Sequence, residues 1–321
     1  GLKVHQSNLC SEITLPTNHE RTAVCCLSSV NLEKYDEWKD HPTFIADLVR
    51  FLDNVISGFI KQAPDSMARA KFSASQERSI GLGAMGFHAY LQSRRIPFES
   101  ALAVGLNLQM FEQIKAQAQK ATHDLALEKG SAPDALGEPI RNMHLLAIAP
   151  NATSSIICGY TSPSIEPYRA NAFVQKTLNG SVLFKNKYLE QRLSELGQNT
   201  DGVWQSIITS HGSVLHLDFM DDWDKQVFKT GIEIDQRWIV DHAATRQEFI
   251  CQAQSVNVFF PADVDVKSLH ETHFRAWKKG LKTLYYCRSE AIKRAEVVSL
   301  KHMAAVPIGA ADENECLACE G

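Results

Sequence analysis

The sequence predicts an α/β fold in which the strands run parallel. The first observation is a unit at residues 255–287 with the pattern of an extended run, a turn, a helix and a second extended run. The second is a series of longer helical patterns between earlier apolar runs. The third is size and composition: 321 residues, 44% of them apolar and 22% charged, suffice for one large or two ordinary globular domains.

The elements follow in order along the chain. Residues 1–32 have apolar side chains flanked by small polar ones, which is typical of buried strands and loops. Apolar residues recur at spacings of three and four from Pro42 to Ile60 and predict a helix that faces the core. Similar patterns predict helices at 99–127, 183–196, 227–252 and 269–279. Extended runs are expected at 255–260 and 281–287.

Residues 308–321 are small and acidic, with little apolar surface to bury, so we expect a mobile tail there and a globular part at 1–307. The tail holds four of the 37 acidic residues and none of the 33 basic ones, which leaves 33 of each in the globular part. A neutral body gives no electrostatic reason to expect nucleic acid or an anionic membrane as a partner.

The cysteine content and the absence of long apolar runs indicate the compartment. No uncharged apolar run reaches the roughly 18 residues of a membrane span, so we expect a soluble protein. Eight cysteines in this length are too sparse for a disulfide framework, and no signal peptide precedes them. We therefore expect a reducing, cytoplasmic location, where paired thiols more often serve redox or metal chemistry.

Asn8, Cys10 and Glu12 place an amide, a thiol and a carboxylate at a spacing of two residues. In an extended segment the three side chains point to one face, which predicts a surface with a hydrogen-bonding group, a redox sulfur and a base. The alternative is a half-buried strand with a core cysteine and two polar surface residues. The three residues alone do not distinguish these interpretations.

Two pairs of cysteines differ in their surroundings. Cys25 and Cys26 are adjacent, and because neighbours seldom bridge to each other, each would look elsewhere for a partner or simply pack in the core. Cys316 and Cys319 form a CxxC motif in the predicted tail, where a thiol has no packing role. A shuttling dithiol is favoured over a zinc site there, because no second CxxC or histidine pair lies nearby.

Two segments have features that can bind phosphate. Residues 80–86 match GxGxxG, but the preceding residues 68–77 are polar and mixed, so close packing of a helix start is the favoured explanation of the glycines. Residues 150–156 offer Asn, Thr and Ser where a strand passes into a helix. Free amides and hydroxyls at such a helix start either bind a phosphate or simply cap the helix.

Tyr285 and Tyr286 lie in the last predicted extended run. Aromatic residues in strands normally serve packing. Adjacent side chains on a regular strand face opposite sides, so contact between the two rings requires a local departure from strand geometry.

Taken together, these segments resemble the large catalytic subunit of class I ribonucleotide reductase. They occur in that family's order, from one end of the chain to the other. The matching segments are residues 7–13 (SNLCSEI), 24–28 (VCCLS), 150–155 (PNATSS) with 165–167 (IEP), 282–286 (KTLYY) and the tail CxxC.

The resemblance implies a fold and an organisation. The family's fold is a ten-stranded α/β barrel of two half-barrels around a central cysteine loop. Residues 1–307 would be the second half-barrel with helical insertions and that loop. The first half-barrel, the regulatory nucleotide-binding regions and one redox cysteine would lie upstream, so we expect this chain to need an N-terminal half, supplied for example by a split gene.

The resemblance also implies reduction of ribonucleoside diphosphates to deoxyribonucleotides for DNA synthesis by a thiyl-radical mechanism. Cys10 matches the cysteine that becomes the thiyl radical and takes the 3′ hydrogen. Glu12 matches the general base for the 3′ hydroxyl, and Asn8 matches the residue that hydrogen-bonds the sugar. Cys25 matches the second member of the redox pair, while Cys26 departs from the family pattern and could exchange with it.

Substrate binding follows from the same resemblance. Residues 151–154 match the segment that holds the substrate diphosphate through a helix start and its hydroxyls. These residues are Asn151, Ala152, Thr153 and Ser154. Some relatives carry Glu at the position of Ala152, so its contact would be through the backbone.

The last two motifs imply partners. Tyr285 and Tyr286 match the stacked pair that passes the radical from the small subunit to the active-site cysteine. Cys316 and Cys319 match the tail dithiol that re-reduces the active site and is recycled by thioredoxin or glutaredoxin. We expect no cofactor bound directly by this chain, because the metal-containing radical cofactor would belong to the small subunit.

Two other functions compete with this hypothesis. A non-catalytic structural subunit is disfavoured because every catalytic position that can be checked is filled. A stand-alone thiol-disulfide protein using the tail motif would leave Asn8, Glu12 and the tyrosines without a role.

Overall fold

The computed structural model describes residues 2–177 and 180–289. These residues form six strands and eleven α-helices. The strands are β1 (Cys26–Asn31), β2 (Ile80–Met85), β3 (Ala172–Thr177), β4 (Gly180–Lys185), β5 (Val258–Phe260) and β6 (Cys287–Ser289). The helices are α1 (Tyr35–Trp38), α2 (Phe44–Gln62), α3 (Ala68–Glu77), α4 (Phe87–Ser93), α5 (Ala101–Lys129), α6 (Ala152–Ile157), α7 (Lys187–Glu195), α8 (Asp201–Thr209), α9 (Asp222–Val227), α10 (Gln236–Gln247) and α11 (Val266–Lys278).

Five extended segments lie side by side and run parallel, in chain order. β1 pairs with β2. The segment at residues 145–148 lies next to β2 and is joined to it by the parallel Leu82–Leu146 bridge. The Ile148–Gln254 bridge leads to the segment that ends in β5, which pairs with β6. Helices connect successive segments, as parallel pairing requires. The predicted α/β class with parallel strands is confirmed, and five parallel strands in order are what half of a ten-stranded barrel contains.

The two faces of β2 explain its glycines. Ile80, Leu82 and Ala84 point into the helix-packed core. Gly81 and Gly83 point to the opposite face, where an added Cβ on Gly83 would lie 2.5 Å from the main-chain oxygen of the neighbouring segment. The expectation of a helix start at these glycines was therefore wrong except at the last one, because most of the motif is a buried strand. Close packing does explain the glycines, since side chains would block the inner face of the sheet.

Three predicted helices are confirmed within a few residues. The helix predicted from Pro42 to Ile60 is α2, and the one predicted at 99–127 is α5, which Ser100 caps by accepting a hydrogen bond from the Ala103 amide at 3.1 Å. The helix predicted at 269–279 is α11, capped by Asp265. All three follow from apolar spacing, which is a local signal, and side chains cap the starts of α5 and α11 but not of α2.

Two helix predictions were wrong in their bounds. The helix predicted at 183–196 begins only at α7, because β4 occupies the first residues and Asn186 caps the helix by accepting from the Tyr188 amide at 3.1 Å. The pattern at 227–252 is interrupted, since α9 ends at Val227 and α10 begins after Asp235, whose side chain accepts from the Arg237 amide at 3.0 Å. Apolar spacing alone did not show these caps.

In the last unit, the regular strands are shorter than the extended runs predicted from the sequence. The first, predicted at 255–260, is a strand only in β5, and the second, predicted at 281–287, is regular only in β6. Main-chain hydrogen bonds nevertheless extend the pairing backwards, since the Tyr285 amide donates to the Val256 oxygen at 2.8 Å. The strand, helix and parallel strand order of this unit is confirmed.

Two hydrophobic cores stabilise the described part of the chain. The larger one lies between the parallel segments and α2, α4, α5 and α10. The smaller one packs α7, α8 and α9 around Trp204 beside the β3–β4 hairpin. None of the helices in residues 2–177 and 180–289 is long and apolar enough to cross a membrane.

Candidate active site

Cys10 lies at the tip of a tight turn rather than in a strand. The Asn8 amide donates to the Ile13 oxygen at 3.3 Å, and the Ser11 amide donates to the Asn8 oxygen at 3.1 Å. Ser11 has a φ of 68°, which closes the turn. The expected extended segment was therefore wrong here. The turn still brings two of the three residues together, because Asn8 Nδ2 donates to Glu12 Oε2 at 2.9 Å.

The turn is fixed to the fourth parallel segment, at residues 252–257. The Ala253 amide donates to the Glu12 main-chain oxygen at 2.9 Å, and the Thr14 amide donates to Gln252 Oε1 at 3.3 Å. Ser255 Oγ lies 3.2 Å from Glu12 Oε2 and also donates to the Cys10 main-chain oxygen. These contacts place the turn against the inner face of the sheet.

Gln252 and Ser255 contact the turn but were not among the site residues predicted from the sequence. Both are buried polar residues in a run with strand character. A polar side chain in a buried extended run needs a hydrogen-bond partner, so the place of Ser255 in the run predicted at 255–260 was the available signal for it. Gln252 falls within the pattern predicted as a helix at 227–252, so no such signal marked it.

Cys25 and Cys26 point to opposite faces of the sheet. Cys26 packs against the large helix-covered core, whereas Cys25 packs with Ile13 and Ala147 on the inner face, below the Cys10 turn. Burial raises the pKa of the Cys25 thiol to about 12, and a hydrogen bond from Gln252 Nε2 at 3.5 Å acts in the opposite direction. The structure thus places Cys25, and not Cys26, on the same face as Cys10.

The predicted passage from an extended segment to a helix at 150–156 is confirmed. α6 begins at Ala152, and the exposed Thr153 and Ser154 lie in its first turn, where backbone amides have no partner within the helix. The Asn151 side chain does not cap the helix. Its Oδ1 atom instead accepts a hydrogen bond from Ser29 Oγ of β1 at 3.0 Å. This helix start is therefore held against the first strand.

One cavity of about 580 Å³ brings several predicted site residues together. Its walls include Cys10, Tyr285, Asn151, Ala152, Thr153 and Ser154. Asn8, Glu12 and Cys25 do not line it. The Cys10 turn and the start of α6 thus face a common space of the size of a small-molecule site.

Tyr285 and Tyr286 are in ring contact. Their centroids lie 4.0 Å apart at an interplanar angle of 35°, and Tyr285 Oη lies 3.5 Å from Cys10 Sγ. Both residues precede the regular strand β6, which provides the local departure that the contact requires. Burial, together with hydrogen bonds to Tyr286 and Cys10, raises the pKa of the Tyr285 phenol above its usual range. The chain Tyr286, Tyr285, Cys10 is therefore continuous.

The buried carboxylate of Glu166 is connected to the tyrosine pair through Asn257. Glu166 accepts two hydrogen bonds from Asn257 Nδ2, at 2.9 and 3.1 Å, and Asn257 Oδ1 accepts from the Tyr286 amide at 3.0 Å. Burial raises the pKa of Glu166, while Arg169, Asn257 and Arg288 act against this shift. The Arg288 guanidinium lies 4.9 Å from the Tyr286 ring centroid. The Glu166 segment that carried part of the resemblance thus reaches the tyrosines through Asn257.

Two predicted site residues, Cys316 and Cys319, lie outside the described residues. Among residues 2–177 and 180–289, no group of three or more His, Cys, Asp or Glu side chains is placed to hold a metal ion.

Comparison with known proteins identifies the family that the sequence resembles, and the match covers nearly the whole described part of the chain. The family model "Ribonucleotide reductase, barrel domain" matches residues 2–139 and 134–287. The chain is 49% identical over 298 residues to the ribonucleoside-diphosphate reductase large subunit of Invertebrate iridescent virus 6, covering 92% of this chain and 31% of that protein. It is 45% identical over 324 residues to the large subunit of Invertebrate iridescent virus 3, covering 100% of this chain and 51% of that protein.

A solved structure has the same fold. The class Id ribonucleotide reductase alpha subunit of Actinobacillus ureae superposes with a TM-score of 0.85 at 39% identity, covering 90% of this chain and 54% of that one. The chain thus spans about a third to a half of the length of these relatives. Its five parallel strands, its cysteine turn and these matches agree, and the chain belongs to the ribonucleotide reductase family, where it corresponds to the barrel domain of the large subunit.

Proposed function

We propose that this chain is the C-terminal catalytic part of a class I ribonucleoside-diphosphate reductase. The observation that carries the proposal is the continuous arrangement of Tyr286, Tyr285 and Cys10, with Cys10 lining a cavity that the start of α6 also lines. A thiol that touches a half-buried tyrosine pair and also lines a small-molecule cavity is suited to radical transfer. The substrate would be a ribonucleoside diphosphate.

Each residue has a separate role in the proposed reaction. The Cys10 thiyl radical takes the 3′ hydrogen of the ribose, so its S–H bond forms as the C–H bond breaks. Glu12, oriented by Asn8, takes the proton of the 3′ hydroxyl. The 2′ hydroxyl then leaves as water with a proton from one thiol of a redox pair, and the 2′ carbon gains a hydrogen as that pair becomes a disulfide. Cys10 finally returns its hydrogen to the 3′ carbon, and Glu12 returns the proton to the 3′ oxygen.

The two electrons for this reduction would come from a pair of thiols that ends as a disulfide. Cys25 is the member of that pair in this chain, supported by its position on the inner face below the Cys10 turn. Its partner would be supplied by the N-terminal half of the large subunit. Cys316 and Cys319 would re-reduce this disulfide and be recycled by thioredoxin or glutaredoxin.

The diphosphate would be held at the start of α6. Asn151, Ala152, Thr153 and Ser154 are supported in this role by the free amides of a first helical turn and by two exposed hydroxyls at the cavity wall. A neutral protein body leaves local dipoles of this kind to meet the substrate's charge.

The partners and the location follow from the same proposal. The metal-containing radical cofactor belongs to a small radical-generating subunit, from which Tyr286 would receive the oxidising equivalent. No cofactor would bind this chain directly, and the complex would work in the cytoplasm. Residues 308–321 would act as the redox tail of the globular part at 1–307.

The test is formation of deoxycytidine diphosphate by the full chain with small subunit and dithiol reductant, with and without a candidate N-terminal half. We expect activity only in the complete mixture, abolished by Cys10→Ser and retained by Cys287→Ser, an exposed cysteine that makes no contact with Cys10 or Glu12. Inactivity of a mixture in which the halves associate and the small subunit carries its radical would instead support a non-catalytic subunit.

A further inference from the structure

Ser255 lies between the two groups on which the proposed reaction depends. Its side chain is fully enclosed, with 2% of the residue exposed. Its Oγ donates to the Cys10 main-chain oxygen and lies 3.2 Å from Glu12 Oε2. Its own amide donates to the Ile148 oxygen at 2.9 Å, which fixes Ser255 to the parallel sheet. One hydroxyl thus connects the rigid sheet, the Cys10 turn and the Glu12 carboxylate.

A serine hydroxyl has one proton, and here it faces two acceptors. While Glu12 is ionised, its Oε2 atom and the Cys10 oxygen compete for that proton. Once Glu12 has gained a proton, its own O–H can donate to Ser255 Oγ, and Ser255 can then donate to the Cys10 oxygen without competition. The protonation state of Glu12 therefore changes the strength of one of the bonds that hold the Cys10 turn to the sheet, the one from Ser255 Oγ to the Cys10 oxygen.

The same segment also fixes the tyrosine that touches Cys10. The residue after Ser255, Val256, accepts the Tyr285 amide at 2.8 Å through its main-chain oxygen, and Tyr285 Oη lies 3.5 Å from Cys10 Sγ. Ser255 and Val256 thus set the position of the Cys10 turn and of Tyr285 from one segment of the parallel sheet. A looser turn would alter the contact through which Cys10 is oxidised.

We propose that Ser255 is a positioning residue that couples the proton on Glu12 to the placement of Cys10, an inference that rests on the proposed function. The proton that Glu12 gains is the one that the substrate 3′ hydroxyl loses, so the tie would tighten as the substrate radical forms. The other titratable or charged groups near this site are Cys10 itself, Tyr285, Cys25 and Arg288.

The first test measures the turn and does not require activity. The rate at which a small alkylating reagent modifies Cys10 is followed by mass spectrometry on the full chain, with Glu12→Gln as the mimic of neutral Glu12. Its amide oxygen, which accepts from Asn8 Nδ2, is a weaker acceptor than a carboxylate and leaves the Ser255 proton to the Cys10 oxygen. We expect Glu12→Gln to slow Cys10 modification about threefold when Ser255 is present and to have no effect in a Ser255→Ala background. An equal effect in both backgrounds overturns the inference.

The second test measures catalysis in the complete enzyme. Ser255→Ala should lower kcat about tenfold with KM within twofold, and Ser255→Thr, which keeps the hydroxyl, should restore kcat to within about threefold of the unaltered enzyme. The matched control is Thr283→Val, which removes a hydroxyl that donates to the Gln254 oxygen at 2.9 Å in the same segment without reaching Cys10 or Glu12. A kcat of Ser255→Ala equal to that of Thr283→Val contradicts the inference.

The outcomes separate this inference from the proposed function. If Cys10→Ser leaves activity intact, the proposed function fails, whatever the alkylation cycle shows. If the unaltered enzyme is active but Glu12 and Ser255 show no coupling, only the role of Ser255 fails. If Ser255→Ala does not fold, the effect of Glu12→Gln on the chain with Ser255 decides, because unchanged modification of Cys10 there contradicts the coupling.

Discussion

The environment of the half-buried Cys25 thiol allows a quantitative prediction of its reactivity toward a small aromatic disulfide. Burial raises the pKa of this thiol from about 9 to about 12, so at neutral pH its thiolate is about a thousandfold scarcer than that of an unburied cysteine. Each thiolate that forms is more nucleophilic because the pKa of its thiol is higher. A pKa difference of about three raises the rate constant of the thiolate about 16- to 32-fold at a Brønsted coefficient of roughly 0.4–0.5. The net expectation is exchange about 30- to 60-fold slower than in the unfolded chain.

The assay compares Cys25 with itself. The full chain is exposed to the disulfide either folded or in concentrated guanidinium, and the modified Cys25 peptide is quantified by mass spectrometry at intervals. In the folded chain the rate should keep rising tenfold per pH unit beyond pH 9, because the thiol does not reach its pKa there. In the unfolded chain the rise should level off near pH 9.

Gln252 provides a second perturbation of the same thiol. Its Nε2 donates to Cys25 Sγ, which favours the thiolate, so Gln252→Leu should slow the exchange further. Equal rates for folded and unfolded chains at neutral pH, or a plateau near pH 9 in the folded chain, would refute the reasoning.

Three other predictions concern the scaffold. Gly83→Ala should lower the free energy of unfolding by about 1–3 kcal/mol, because the new Cβ would meet a main-chain oxygen at 2.5 Å. Asp53→Asn should cost about 3–5 kcal/mol, since it leaves buried guanidinium groups without their counter-ion. Burial lowers the pKa of His88 to about 3 and of His242 to about 4, so below pH 6.5 the unfolded chain takes up protons that the folded chain does not. Stability should therefore fall as pH drops from 6.5 toward 4, by up to about 1.4 kcal/mol per pH unit for each histidine.

Chemical denaturation measures the free energy of unfolding for all three predictions, and a different result would contradict each of them. For Gly83, the matched control is Gly105→Ala in α5, where an added Cβ meets nothing within 4 Å and stability should hold or rise; equal effects would contradict the packing argument. For Asp53, the control is Asp124→Asn, which removes an exposed ion pair and should change stability by less than about 1 kcal/mol. For the histidines, a denaturation midpoint that is constant between pH 7 and 5 would contradict their neutral burial.

The sequence by itself determined the local features of this protein. Helices α2, α5 and α11 were predictable because their apolar residues recur within a few positions of each other, and local side-chain caps begin α5 and α11. The family was predictable as well, because its motifs are short, ordered segments with characteristic residue types. Apolar spacing failed where a cap interrupts a continuous pattern, as Asp235 does before α10.

Only the tertiary structure decided how the site is put together. The turn at Cys10, the opposite faces of Cys25 and Cys26 and the link through Ser255 all depend on hydrogen bonds and packing between segments far apart in sequence; the Ser255 contacts join residues 243 and 245 positions apart. Adjacent residues on a strand face opposite sides, so one step in register decides which cysteine reaches the inner face. Local sequence carries no information about that register, because it is set by the strands that pair with it.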